Sequence, residues 1–165
     1  MRLASLQDLY LDELHDLYDA ERQALKTLPK MMEAASATGL RTALQDHLTQ
    51  TENHLRRLET ILEGLGEVLG RRKSMGMKGL LKEAEQNIGG DATPVVRDAA
   101  LIAAVQKIEH YEIAGYGCVR TYAEVLGHLE AARLLQETLD DEESADQRLS
   151  EMAEWTINQR AAKAA

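Results

Sequence analysis

Apolar residues return every three or four positions through most of the chain, and the faces they mark divide it into helices. The first run opens at Ser5, with Asp8 three residues on as a helix-start signal. It carries Leu14, Leu17, Tyr18, Glu21, Leu25 and Leu28 on one face, with Asp12, Asp16, Arg22 and Lys26 on or near the other. Pro29 lies inside the pattern, where a missing backbone donor kinks a helix or forces local rearrangement. Gly39 marks the break. From about Leu40 a second stripe follows, Leu44, Leu48, Thr51, Leu55, Leu58 and Leu62, fading between Gly64 and Gly70. Residues 70–76 read as a loop with the basic Arg71, Arg72 and Lys73 at its tip. Leu80, Leu81, Ala84 and Ile88 predict a short helix over about 77–88. Thr93 is placed as an N-cap with Pro94 at the first helical position. The helix it opens ends near Gly127, and a last one from His128 to about Asn158 carries Leu135, Leu139, Glu142, Asp146 and Leu149.

The long helices therefore cover about 5–37, 40–66, 94–126 and 128–158. At about 1.5 Å per residue each is roughly 40–48 Å long. Short turns join the first to the second and the third to the fourth, so each pair is an antiparallel hairpin. The connection over residues 64–93 is long enough to cross the length of a bundle. Two hairpins joined by one long crossover make the ferritin-like arrangement. The expected fold is a single all-α domain, a ferritin-like four-helix bundle whose crossover carries the short extra helix.

Composition agrees: good helix formers dominate the 165 residues, and only two prolines interrupt them. A net charge of −9 argues against nucleic acid and anionic membrane surfaces as partners, while permitting cations. No 18-residue apolar run and no charged-then-apolar leader pattern stand out, so a soluble cytoplasmic protein is expected. Cys118, the single cysteine, fits a reducing compartment and reads as a packing residue on the core side of its helix.

The chemistry lies where acids interrupt apolar faces. Residues 99–105 are apolar nearly all the way round, which places their helix in the middle of the protein. Downstream, Glu112 falls on the stripe of Leu101, Val105, Ile108 and Val119, with Glu109 at its margin. Buried charge is expensive unless it is paired or binds a metal. Helix one adds Glu21, and helix four adds Glu142, Glu143 and Asp146, of which Glu142 and Asp146 are nearest the stripe centre. Measured from Leu135, Glu143 and Asp146 lie at about 80° and 20°, and Glu109 and Glu112 stand at about the same angles from Leu101. All are near mid-helix. Five or six carboxylates cannot share a layer ionised without cations. Iron or manganese, as two ions bridged by carboxylates, suits such a donor set. The competing reading is that Asp140, Asp141, Glu142 and Glu143 form a solvated face and Glu21 pairs with a basic side chain.

Helix two lacks the Glu-x-x-His such sites use. His54 is its candidate ligand and His47 a weaker one, though a histidine at the edge of a leucine stripe is more often a satisfied side chain. His15, His110 and His128 are weaker still, and core packing accounts for Tyr18, Tyr111 and Tyr116. No phosphate loop, nucleophile elbow or paired-cysteine zinc pattern is present.

The segments Arg97-Asp98-Ala99-Ala100-Leu101-Ile102-Ala103-Ala104 and Gln106-Lys107-Ile108-Glu109-His110-Tyr111-Glu112-Ile113-Ala114 closely resemble the signature of the YciE/YciF family of ferritin-like bacterial stress proteins. Tyr18-Asp19-Ala20-Glu21 and the run from Leu135 to Glu142 match it too, so the likeness spans nearly the whole chain. It implies a ferritin-like core with an extra crossover helix, a homodimer, and kinship with rubrerythrins and manganese catalases. By the shared pattern, Glu21, Glu109, Glu112, Glu143 and Asp146 would be the metal-side carboxylates. Thr49 and Gln50 stand where the family tends to have Glu on helix two, and Asp146 where the wider fold often carries His. The expected function is a dinuclear iron or manganese carboxylate protein of stress defence that reacts with oxygen or peroxide. The alternative is a metal-free dimeric helical bundle that binds a partner or serves a structural role.

Overall fold

A computed structural model describes residues 3–164. Five main helices follow in order: α1 (Leu6–Ala34), α2 (Thr38–Gly64), α3 (Met75–Gly89), α4 (Pro94–Leu126) and α5 (Leu129–Met152). A wider π turn (Ala153–Ile157) and a final helical turn, α6 (Asn158–Ala161), close the chain. The last helix expected to reach Asn158 is thus interrupted, and the π turn keeps both Ala153 and Ile157 in the core. The described residues include no strand, and no helix among them is long and apolar enough to cross a membrane.

The chain builds the expected bundle. α1 packs on α2 and α4, and α5 packs on α4 and α2. The crossover climbs along α1: Glu67 meets His15, Ser74 meets Asp19, Glu85 meets Lys30, and Asp98 at the start of α4 meets Ser36. α4 therefore begins beside the end of α1 and runs antiparallel to it. The short α3 buries Met77, Leu81 and Ala84 on the flank of α1 and α4.

Local signals decide the helix starts. Ser5 Oγ accepts the Asp8 amide at 3.1 Å, and Pro94 occupies the first position of α4. Thr93 precedes it at the N-cap but makes no side-chain cap bond. α1 continues through Pro29, with Leu28 and Met31 beside it fully packed in the core. The break to α2 falls at residues 35–37 rather than at Gly39, which sits inside the first turn of α2. Its cause is remote in sequence. The buried Asp98 carboxylate accepts the Ser36 amide at 2.7 Å, the Ala37 amide at 2.9 Å and the Ser36 hydroxyl at 2.6 Å. An acid from α4 thereby satisfies amides left free at the start of α2.

The basic segment expected as a loop tip is instead pinned to α1. Arg72 pairs with Asp12 and Asp16, and Lys73 reaches Asp19 at 2.8 Å. The Ser74 amide donates to Asp19 at 2.9 Å and its hydroxyl to Asp16 at 2.8 Å. The face of α1 that reads as polar and outward is thus covered, and Asp16 and Asp19 are buried under it. Cys118 departs the other way. The buried side of α4 runs through Tyr116, Val119 and Ala123, and leaves Cys118 exposed.

The apolar core is not continuous. One cluster gathers Leu28, Leu40, Leu44, Leu101, Val105, Ile108 and Leu149; the other gathers Leu14, Leu17, Leu55, Leu58, Tyr116, Val119 and Leu135. On α2, α4 and α5 the chain passes from one cluster to the other across buried polar residues (the His47–His54 stretch, Glu109 with Glu112, and Glu142), and on α1 the change falls between Tyr18 and Ala20, beside the buried Glu21.

Candidate metal centre

The polar layer between the two clusters draws one side chain or more from every long helix. Glu21, His54, Glu109, Glu112 and Glu142 have 0 % exposure and His47 has 4 %. Their ligand atoms form two groups, each within 4.8 Å: His47 with Glu109, Glu112 and Glu142, and Glu21 with His54 and Glu142. Glu142 belongs to both. The Nε2 of His47 lies 3.2 Å from Glu109 and its Nδ1 3.9 Å from Glu142. The Nδ1 of His54 lies 3.0 Å from Glu142 and 3.3 Å from Glu21, while its Nε2 faces Asp141 at 3.4 Å.

Outer residues hold these side chains. The Tyr116 hydroxyl donates to Glu21 at 2.6 Å from a fully buried position. Arg57 donates to Asp141 at 2.8 Å and to Thr138 at 3.2 Å, so the acid behind His54 is itself anchored. A carboxylate on the far nitrogen of an imidazole is the usual support of a metal-binding histidine.

The layer is highly charged for its burial. Burial works against a charge on His54, yet the field and contacts of Glu21 and Glu142 outweigh it and lift its pKa to about 10. Burial likewise opposes charge on Glu142, but His54, then Glu109 and His47, bring it down to about 2. Glu109 and Glu112 move the opposite way. Burial first, then Glu142 beside Glu109 and Glu21 beside Glu112, pushes both well above the usual carboxylate range. At neutral pH the cation-free layer thus holds an imidazolium against the Glu142 carboxylate.

Among the described residues no hydrogen bond reaches either oxygen of Glu109, Glu112 or Glu142, either ring nitrogen of His47 or His54, Oε2 of Glu21 or the hydroxyl of Thr51. An orphaned buried polar group costs about 1–3 kcal/mol. So many in one layer, all oxygen and imidazole nitrogen, fit a bound iron or manganese ion by donor chemistry. The tally of four carboxylates and two imidazoles also equals that of two single glutamates plus two Glu-x-x-His pairs. The positions differ. Thr51 precedes His54 where that motif has Glu, and Ala145 follows Glu142 where it has His. Glu109 supplies the fourth carboxylate and His47 the second imidazole.

The expected residues divide accordingly. Glu21, His54, Glu109, Glu112 and Glu142 meet; Glu143 and Asp146 do not join them. Glu143 is turned about 100° from Glu142 and is exposed. Asp146 lies at the α4–α5 seam, where Gln106 donates to it at 3.2 Å and His110 approaches at 3.5 Å. On α2 the buried residue three positions before His54 is Thr51, whereas Thr49 is exposed and Gln50 half-buried. His47, the weaker imidazole by stripe position, stands in the layer. Its signal was present, since seven residues return a helix almost to the same face and His47 must follow His54 inward.

A two-hairpin α bundle with a long crossover and a buried carboxylate–imidazole layer at mid-height is a ferritin-like protein. The chain belongs to the family described as a domain of unknown function, DUF892, whose model matches residues 5–162. It is similar to Protein YciF of Escherichia coli strain K12, at 40 % identity over 162 residues and 98 % of each chain. The crystal structure of that E. coli stress protein superposes with a TM-score of 0.90 at 39 % identity, covering 94 % of this chain and 99 % of the other. YcfI of Rhodopseudomonas palustris gives 0.86 at 38 %, covering 90 % and 94 %. A Xanthomonas campestris protein at 19 % identity shares the fold, with a TM-score of 0.76 and coverage of 96 % and 97 %.

Proposed function

We propose that this protein holds two first-row metal ions, iron or manganese, in the layer of Glu21, His47, His54, Glu109, Glu112 and Glu142, and that it acts on oxygen or peroxide in stress defence. The observation that carries the reading is the set of orphaned carboxylate and imidazole atoms at the one level where both apolar clusters stop. The similar E. coli protein is a stress protein, which supports the physiological setting. Bound iron or manganese would supply a redox couple and an open position for the oxidant. The chain's own part is to hold that position. Tyr116 fixes Glu21, Asp141 held by Arg57 faces the far nitrogen of His54, and the flanking leucines keep bulk water from the layer.

Protein purified without a chelating tag and loaded with iron(II) or manganese(II) should retain about two ions per chain, measured by elemental analysis. Retention well below one ion per chain overturns the reading. It would favour a metal-free bundle, in which the charged His54 balances Glu21 and Glu142 and the protein serves as a binding or structural module.

A further inference from the structure

A cavity of about 60 Å³ lies between α2, α4 and α5, and His47 and Glu109 of the buried layer line it. Asp46 and Arg148 line it too, and both side chains are about half exposed, so it runs from the surface to the edge of the layer, where the His47 and Glu109 donor atoms stay closed to water. It is large enough to hold water. Ala145 borders it at the position where a Glu-x-x-His from Glu142 would place an imidazole. Across the mouth the Arg148 guanidinium bridges to Asp46 at 2.7 Å.

We propose that this cavity is the passage by which divalent cations reach the buried layer, and that the Arg148–Asp46 pair is its gate. The proposal rests on the metal reading given above. Three features support it: the side chains lining its inner end have ring nitrogens and carboxylate oxygens without partners, its outer end carries the Asp46 carboxylate, and the guanidinium that neutralises this acid sits on flexible methylenes at the surface. When Arg148 swings out, Asp46 is left as a cation-attracting acid above Glu109. None of Asp46, Ala145 and Arg148 belongs to the ligand layer, so they control the rate of filling and not the number of ions held.

The test mixes metal-free protein with cobalt(II) in stopped flow, following the d–d absorbance, with equilibrium titration of the same samples. Arg148→Ala should speed uptake and Asp46→Asn should slow it, each by roughly tenfold at low salt, an electrostatic effect that fades as salt rises. Ala145→Leu should slow uptake by about tenfold or more, because a filled, close-packed wall has no void to pass an ion. All three should bind as many ions as the parent. Parent-like rates in the Arg148 and Asp46 variants, with full stoichiometry, overturn the passage and leave the metal site standing. Absence of cobalt binding by the parent protein overturns both. Arg148→Ala and Asp46→Asn alter surface side chains only, so the result survives a failure of Ala145→Leu to fold.

Discussion

His54 and Glu142 approach within 3.0 Å across the α2–α5 contact, each completely withdrawn from solvent. Without a cation the pair is an imidazolium facing a carboxylate in a low-dielectric layer, and each makes the other's charge tolerable. Removing one partner of such a pair leaves the other as an uncompensated buried charge, at about 3–5 kcal/mol. His54→Ala in the metal-free protein should therefore lower unfolding free energy by about that amount, read from urea denaturation. A loss below about 1 kcal/mol would mean that solvent reaches the pair.

Two adjacent glutamates separate the proposed ligands from their surroundings. Glu142 is buried and shared by both donor groups, whereas Glu143 is exposed. Glu142→Gln should weaken metal binding by at least about tenfold, as losses around metal sites generally do, and Glu143→Gln should leave it unchanged. Equilibrium titration with manganese(II) measures both. Equal behaviour of the two variants would remove Glu142 from the site.

Asp141 touches no proposed ligand except through the Nε2 of His54. Its loss should still lower metal affinity, by about 10–100-fold, because the imidazole loses its orientation and basicity. Asp140→Asn is the matched control, since Asp140 is exposed and accepts a hydrogen bond from the neighbouring Gln136 at 2.7 Å. Binding isotherms of the two asparagine variants decide whether the outer acid matters.

The metal-free protein should lose stability at both ends of the pH scale. The His54 pKa rises from 6.5 to about 10 on folding, so its contribution is complete below 6.5 and drains away as pH rises towards about 10. The Glu142 pKa falls from 4.5 to about 2, so its contribution is complete above 4.5 and drains away as pH falls towards about 2. Urea midpoints measured across pH should decline above neutrality in the parent, and that decline should be flatter in His54→Gln. An unchanged alkaline slope in this variant would show that another group titrates.

Asp98 joins the two hairpins by holding the start of α2 from α4. Asp98→Ala removes three hydrogen bonds to Ser36 and Ala37 and should destabilise the fold by about 2 kcal/mol, within the range for charged and capping hydrogen bonds. Thermal or urea unfolding checks this, and metal stoichiometry should be unaffected.

Much of this architecture is legible one helix at a time. The spacing of Leu14, Leu17, Tyr18, Glu21 and Leu28, or of Leu101, Val105, Ile108 and Glu112, is an angle around a single rod, and 3.6 residues per turn suffice to read it. The same reading found Glu21, Glu109 and Glu112 on inward faces, because acids amid apolar neighbours stand out on the stripe itself.

The sequence by itself thus determined five helices, their pairing through short turns, the long crossover, and the presence of acids on buried faces. Only the tertiary structure decided that Glu142 and His47 enter the layer while Glu143 and Asp146 stay out, that Asp98 ends one helix and starts another, and that the crossover buries Asp16 and Asp19. The reason is physical. Periodicity encodes rotation about a helix's own axis, whereas membership of a shared layer depends on how neighbouring rods are turned and slid against one another. That is set by the summed packing of all four helices, which no single stretch of chain contains.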